Sequence, residues 1–339
     1  MANGIGTCSD SLESPIAEMD GHDLGGSMIK FARPSLPSFV AGAVCATVLV
    51  AVPAVAVVTA VDQNPSVFDG TGPSLTVQPA QFVLGQSIEL PRGACADELY
   101  NSVGMRLSWD ASDATSGVAS YDVLTFDPES GNHVVAKRTT ATTRDITVTN
   151  WNNDCGGGFV NTSWWVVARD HRGQTAISSE LEDSIDVWDE TGVDVVHDAT
   201  PDLTLTRTGA WSTSKCTCHN LGTTTYTSTK GGSITYSVIV DKPGRTLAIV
   251  APISNNRGVM NVSVDGGAAA VFITYAGTTQ NRTIVWQKSL AAGTHTLKIV
   301  NAGTAGRGRI DVDSIMLGPA WGGEALAEYF VECPSWDCS

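Results

Sequence analysis

Positive charge is scarce in this sequence. Only 20 Lys and Arg stand against 35 Asp and Glu, and charged residues of either sign make up 16% of the 339 positions. No window gathers Lys and Arg, which excludes a nucleic-acid partner, because phosphate binding rests on clustered cations. Catalytic signatures are missing as well. There is no G-x-S-x-G elbow, no H-E-x-x-H, no P-loop and no dinucleotide fingerprint. No catalytic residue is therefore assigned, and the chain is expected not to be an enzyme. With hydrophobic residues at 42%, wholesale disorder is excluded too.

The charge is unevenly spread. Residues 1–60 hold five acids and two bases, residues 61–190 nineteen and seven, and residues 191–339 eleven of each. The acidity thus belongs to the first two segments. By the soft prior of about 100–200 residues per domain, the length suggests two domains.

One apolar stretch runs unbroken from Phe39 to Val61, with Lys30 and Arg33 before it and Asp62 and Asp69 after it. That charge order is the one an export signal uses, and a run of about 20 apolar residues suffices to span a bilayer. Pro53 and the small-residue patterns ending at Ala56 and Ala60 fit a cleaved signal peptide. The polar residues before Met28 fit an uncleaved anchor better, unless Met28 is the true start. Both readings put the chain beyond Val61 outside the cell, so a secreted or cell-surface location is expected, with membrane attachment through residues 39–61 as the anchored alternative.

Eight cysteines occur, and six lie beyond the apolar stretch: Cys95, Cys155, Cys216, Cys218, Cys333 and Cys338. An even count in an oxidising compartment reads as disulfides. Cys95 and Cys155, alone in their half, are expected to pair. Cys216 and Cys218 are too close to bridge comfortably, which favours pairing them with Cys333 and Cys338. The same cysteines with His219 offer a zinc alternative of weak spacing.

Residues 73–188 carry short alternating runs, Met105–Trp109, Ser120–Phe126, Asp145–Thr149 and Trp164–Ala168, broken at Gly131-Asn132, Gly156–Gly158 and Arg172-Gly173. No segment there keeps a helical period for ten residues, so a β-sandwich is expected. Trp109-Asp110-Ala111-Ser112-Asp113, Ser116–Val123 and Val166-Val167-Ala168-Arg169-Asp170-His171-Arg172-Gly173 resemble bacterial fibronectin type III domains. The resemblance implies that Trp109 and Tyr121 are core residues, and it implies nothing about activity. Glu180–Glu190 then packs six acids into eleven residues. It reads as a solvated last strand with a linker at 189–194, or as a calcium-stiffened hinge.

Residues 195–319 accommodate eight strands: Leu203–Arg207, Ser233–Val240, Arg245–Ala251, Val259–Val264, Ala269–Tyr275, Arg282–Lys288, Thr294–Val300 and Arg309–Leu317. Eight antiparallel strands of this spacing fit a jelly roll. The expected architecture is all-β. It comprises a polar tail (1–37), an apolar export helix (38–61), a linker (62–72), two tandem sandwiches and a Cys-containing tail (320–339). Gly209-Ala210-Trp211, Lys230–Tyr236, Val262–Gly266, Gly293–Leu297 and Arg309–Asp313 resemble a galactose-binding-like jelly roll of the carbohydrate-binding-module type, common in exported actinobacterial proteins. The resemblance implies binding of polysaccharide or cell-wall glycan.

Sugar recognition wants an aromatic face with planar polar groups around it. Trp211, Tyr275, Arg257, Asn255 and Asn256 are the candidates. Asp311 and Asp313, with Asp198 as the nearest partner, are candidates for a structural calcium, and no other cofactor is required. Asn161, Asn261 and Asn281 sit in N-x-S/T sequons. The first reading is thus an exported, non-catalytic accessory protein that binds glycan through the jelly roll, with the fibronectin-like module as spacer. The second is a structural or adhesive surface protein without a sugar site, and the third is a part of a secreted hydrolase system. The sequence does not specify an oligomeric state. Since the jelly roll has no net charge, neutral sugars are the expected ligands.

Overall fold

The computed structural model describes residues 71–88, 102–127, 132–149, 163–182, 185–194, 203–323 and 326, all within one compact unit, Asn64–Ser339. The export segment, the residues between 195 and 202, and Cys95, Cys155, Cys333 and Cys338 lie outside the described residues. The described chain is all-β, with strands in antiparallel sheets and one short 3-10 turn at Asn220–Gly222. Among the described residues no helix is long and apolar enough to cross a membrane.

The first sandwich closes one sheet centred on Ser102–Ser112 over another centred on Trp164–Asp170 and Val118–Asp127. Alternation decides which side chains enter its core. In Ser102–Ser112 the residues Val103, Met105, Leu107 and Trp109 face inward, while Arg106 and Asp110 face water. Trp109 and Tyr121 meet edge to face in that core, with ring centroids 5.5 Å apart.

The second sandwich is a jelly roll. Its outer sheet orders Thr204–Thr208, Ser233–Val240, Gly293–Asn301, Val259–Val264 and Ala270–Ile273 side by side. Its inner sheet orders Asp186–Asp189, Ser314–Leu317, Thr246–Ile253 and Gln280–Ser289. A third, smaller sheet of Ser212–Lys215, Thr223–Thr227 and Ile310–Val312 closes one end.

The inner sheet is covered on both sides. Leu247, Ile249, Ala251, Trp286 and Ile315 belong to the jelly-roll core, whereas Ala248, Val250, Ile284 and Met316 belong to the core of the first sandwich. A strand with two buried faces reads as a continuous apolar run, and Thr246–Pro252 is buried without interruption. Hydrogen bonds stitch the same seam. Gly85 N–H donates to the Ile284 carbonyl (2.9 Å), Ile284 N–H to Gln86 (3.0 Å), Ile88 N–H to Arg282 (2.9 Å) and Gln287 Nε2 to Phe82 (2.9 Å). Gly318 lets Phe82 approach, since a Cβ there would stand 3.0 Å from the ring.

Two sequence expectations are corrected. The acidic run is not a solvated strand: Asp186, Val187, Trp188 and Glu190 are buried, because Asp186–Asp189 pairs with Ser314–Leu317 as the edge of the inner sheet. Asp186 there meets the guanidinium of Arg245 at 2.9 Å. Cys216 and Cys218 are bonded to each other, because the turn after Ser212–Lys215 reverses tightly enough to bring their Cα atoms to 5.0 Å.

Candidate functional site

Three loops converge at the end of the jelly roll closed by the small sheet. The turn Ser254–Arg257 follows strand Thr246–Ile253, residues 274–276 follow Ala270–Ile273, and residues 303–309 precede Ile310–Val312. Main-chain bonds lock them together. Ser254 N–H donates to Thr274 (3.1 Å), Ala276 N–H to Ser254 (3.1 Å), Thr274 N–H to Gly258 (2.9 Å) and Gly258 N–H to Arg309 (2.8 Å). Gly258 is required at this crossing, because a Cβ would collide with the Arg307 carbonyl.

Beneath the loops lies an ionic scaffold. Asp311 is fully buried, and Arg257 Nε reaches its Oδ2 at 2.6 Å while Arg309 Nε reaches Oδ1 and Oδ2 at 3.0 and 3.1 Å. A buried carboxylate is tolerable only when paired and hydrogen-bonded, and here two guanidiniums do so. The Arg309 guanidinium also lies 3.7 Å from the centroid of the Tyr226 ring. Above the scaffold Tyr275 remains 46% exposed, with Arg307 over one face at 4.2 Å. Asn255 and Asn256 are exposed at the tip of the neighbouring turn, and Asn256 Oδ1 accepts from Arg257 Nη1. The cluster therefore holds three guanidiniums for one carboxylate, with an aromatic ring and two amides at its surface. Chemically it can stack a flat apolar face and donate hydrogen bonds to oxygen-rich groups, and it offers no nucleophile beside a base.

No protein-family model and no curated protein matches the chain. Solved structures do. The family 35 carbohydrate binding module from Clostridium thermocellum is similar at 19% identity and TM-score 0.30, over 39% of this chain and 97% of that one. The CBM35 from Cellvibrio japonicus Abf62 is similar at 15% identity and TM-score 0.29, over 43% and 99%. The GH26-CBM35 beta-(1,4)-mannanase of Podospora anserina is similar at 21% and 0.28, and the match covers 42% of this chain and 29% of the mannanase.

Of the candidates named from the sequence, the structure places Asn255, Asn256, Arg257 and Tyr275 on adjoining loops. Trp211 is used differently: its indole N–H donates to the carbonyls of Thr208 (3.0 Å) and Ser233 (3.2 Å), and its ring packs on the jelly-roll core. Arg307, Arg309 and Tyr226 were missed, because nothing in the sequence near them signals that strands remote in sequence deliver them to one place.

The calcium candidates separate. Asp311 is occupied by its two arginines, and Asp198 lies outside the described residues. Asp313, fully buried, accepts the Asn220 N–H at Oδ1 (2.8 Å), and its Oδ2 lies 3.8 Å from His219 Nδ1. Asp313 Oδ2, Asn220 Oδ1 and Glu190 Oε2 are buried oxygens without a hydrogen-bond partner. Burial pushes the Asp313 carboxyl above the usual range, opposed by His219 and the Asn220 N–H, and burial pushes Glu190 up as well. Among the described residues no group of three or more His, Cys, Asp or Glu is gathered to hold a metal.

Proposed function

We propose that the chain is a non-catalytic glycan-binding protein acting at the cell surface or outside it, and that the loop cluster around Tyr275 is its sugar site. The observation that carries this reading is the half-exposed Tyr275 ring, braced by Arg307 and flanked by Asn255 and Asn256 on a locked loop scaffold. Such a ring stacks on the C–H face of a pyranose, and the amides and guanidinium take its hydroxyls. The surplus of two positive charges argues for glycans bearing carboxylate or phosphate groups, where net neutrality of the module had argued for neutral ones. The first sandwich, resembling fibronectin type III, serves in this reading as a rigid mount, because it shares a core with the inner sheet. The export reading of residues 39–61 and the Cys216–Cys218 disulfide both suit an oxidising location.

Of the three calcium candidates only Asp313 stays in this proposal, since its Oδ2 is a buried carboxylate oxygen without a hydrogen bond. Backbone or solvent oxygens would complete the set. Addition of calcium is expected to raise the melting temperature of the wild type and leave Asp313→Asn unmoved. Equal response of the two proteins removes Asp313 from the proposal.

The deciding experiment is a glycan array of neutral and acidic polysaccharides probed with the whole chain. A fragment starting at residue 195 would lose Asp186–Asp189, the edge strand of the inner sheet. Tyr275→Ala is expected to weaken retention roughly tenfold, the loss of about 1.4 kcal/mol of aromatic stacking. Arg307→Ala is expected to reduce the salt sensitivity of binding. No retention on any polysaccharide, with and without calcium, overturns the reading in favour of a structural or adhesive surface protein.

A further inference from the structure

The turn at residues 216–222 does more than connect two strands. It is closed internally by Cys216 N–H to the Gly222 carbonyl (2.9 Å), His219 N–H to Cys216 (3.0 Å) and Gly222 N–H to His219 (3.2 Å). Its backbone then grips two buried charges. Thr217 and Cys218 carbonyls accept from Arg282 Nη2 (2.9 Å) and Nε (3.1 Å), and the Asn220 N–H donates to Asp313. Arg282 stands at a register shift with φ of +52°, and its own carbonyl accepts the Ile88 N–H from the first sandwich. The turn, Arg282 and the seam between the sandwiches thus form one continuous chain of contacts.

This conformation is held against a local preference. Leu221, a residue with a Cβ, takes φ of +46°, directly before Gly222 at +79°. L residues adopt the left-handed region reluctantly, so an uncrosslinked turn has other conformations open to it. The disulfide removes them by tying Cys216 to Cys218 across one residue. Both cysteines are half-buried and Thr217 between them is exposed, which leaves the bond within reach of a small thiol.

We propose that the Cys216–Cys218 disulfide is a redox-sensitive latch: intact, it holds the turn that clamps Arg282 and Asp313, and reduced, it loosens that turn and the seam at Ile88. The reductant is a dithiol. Its thiolate attacks one Sγ, the S–S bond breaks, and the other Sγ leaves as a thiolate that takes a proton. The second thiolate of the dithiol then displaces the protein sulfur, which is protonated in turn. Two electrons and two protons pass to Cys216 and Cys218, and the dithiol becomes a disulfide. This device is independent of the sugar reading, since it concerns a different turn.

The test is amide hydrogen exchange on the whole oxidised chain, before and after dithiothreitol, with alkylation and peptide mass reporting the thiols at residues 216 and 218. Reduction is expected to speed exchange at Asn220 and Ile88 at least tenfold and to lower the melting temperature by a few degrees, roughly the effect of so short a cross-link in a domain this size. The double variant Cys216→Ser, Cys218→Ser is expected to exchange like the reduced protein. Treating it with the dithiol isolates whatever the other six cysteines contribute. Should that variant not fold, the reduced and alkylated wild type supplies the same comparison. Unchanged exchange at Asn220 after confirmed cleavage overturns the proposal, as does a bond that resists millimolar dithiothreitol at neutral pH.

Discussion

The two large sheets of the jelly roll are built from strands of similar length but different surroundings. The outer sheet is buried on one face. Its strand Ser233–Val240 alternates, with Ile234, Tyr236, Val238 and Val240 inside and Ile239 60% exposed. The inner sheet is buried on both faces, and odd and even residues of Thr246–Ile253 enter different cores. A slip of one residue would expose the outer strand's apolar set to water, whereas in the inner strand it would exchange one apolar face for another. What fixes the inner register is therefore polar: Asp186 against Arg245 at one edge, and the main-chain bonds of Gly85–Ile88 at the other.

The contrast can be broken by truncation. Ile249→Ala opens a cavity in the jelly-roll core and Ile284→Ala one in the shared core, and each is expected to cost about 2–5 kcal/mol. Ile239→Ala and Val271→Ala, on the open face of the outer sheet, are expected to stay within about 0.5 kcal/mol. Chemical denaturation followed by tryptophan fluorescence measures all four. The two costly variants should each lower a single transition, since one sheet belongs to both cores. A cost for Ile284→Ala as small as that for Ile239→Ala would show that the second face is not a core at all.

Much of this contrast was legible. Alternation places Ser233–Val240 and Val259–Val264 at their observed bounds, because one-sided burial writes its period into the sequence. The strand at Arg245–Ala251 was also expected, but its sequence alone does not say which second surface covers it. That partner is residues 80–88 and the first sandwich, chosen by long-range packing. The acidic composition of Glu180–Glu190 pointed to solvent, and the structure instead sets Asp186 against a buried arginine. In the candidate site, Tyr275 and Arg257 could be named from loop position and residue type. Arg309 and Asp311 could not be joined to Arg257, because the scaffold links residues 54 positions apart. The Cys216–Cys218 pair was misjudged from spacing, since a tight turn, invisible in the pattern, sets the sulfur positions.

A second difference between buried and open parts of the jelly roll is how they respond to pH. Glu190 and Asp313 are buried, and their carboxyls are pushed up by that burial. The folded state therefore holds protons more tightly than the unfolded one. Their contribution is greatest below the unfolded carboxylate values of about 4 and declines as pH rises from there through the raised folded values. Melting temperatures across that range should show the decline in the wild type and a shallower one in Asp313→Asn, which keeps the Asn220 contact without ionising. Calcium should flatten the wild-type curve if Asp313 holds it, and a variant curve parallel to wild type would mean that Asp313 is not the titrating group.

The open face answers to pH with a maximum instead of a decline, and with the smallest effect. Asp265 accepts from His295 Nδ1 at 2.7 Å and from the Thr296 N–H at 2.8 Å, and the second imidazole nitrogen faces the Ala291 carbonyl at 2.9 Å. The Asp265 carboxyl is held below its ordinary value by the His295 bond, and the His295 imidazole is held above its own by the Asp265 bond. The carboxylate term is present above the unfolded value of about 4 and lost as pH falls through the lowered one. The imidazole term is present below about 6.5 and lost as pH rises through the raised one. The pair thus stabilises most between about pH 4 and 6.5, where the buried acids are already losing ground. Because Asp265 is about half exposed, water screens the pair, and its worth is expected to stay below about 1 kcal/mol. His295→Gln should remove a shallow maximum from the difference curve against wild type and leave the acid-side slope of Glu190 and Asp313 intact. A His295→Gln curve that instead loses that slope would tie the open face to the buried layer, and the distinction between the two sheets would fail at its electrostatic end.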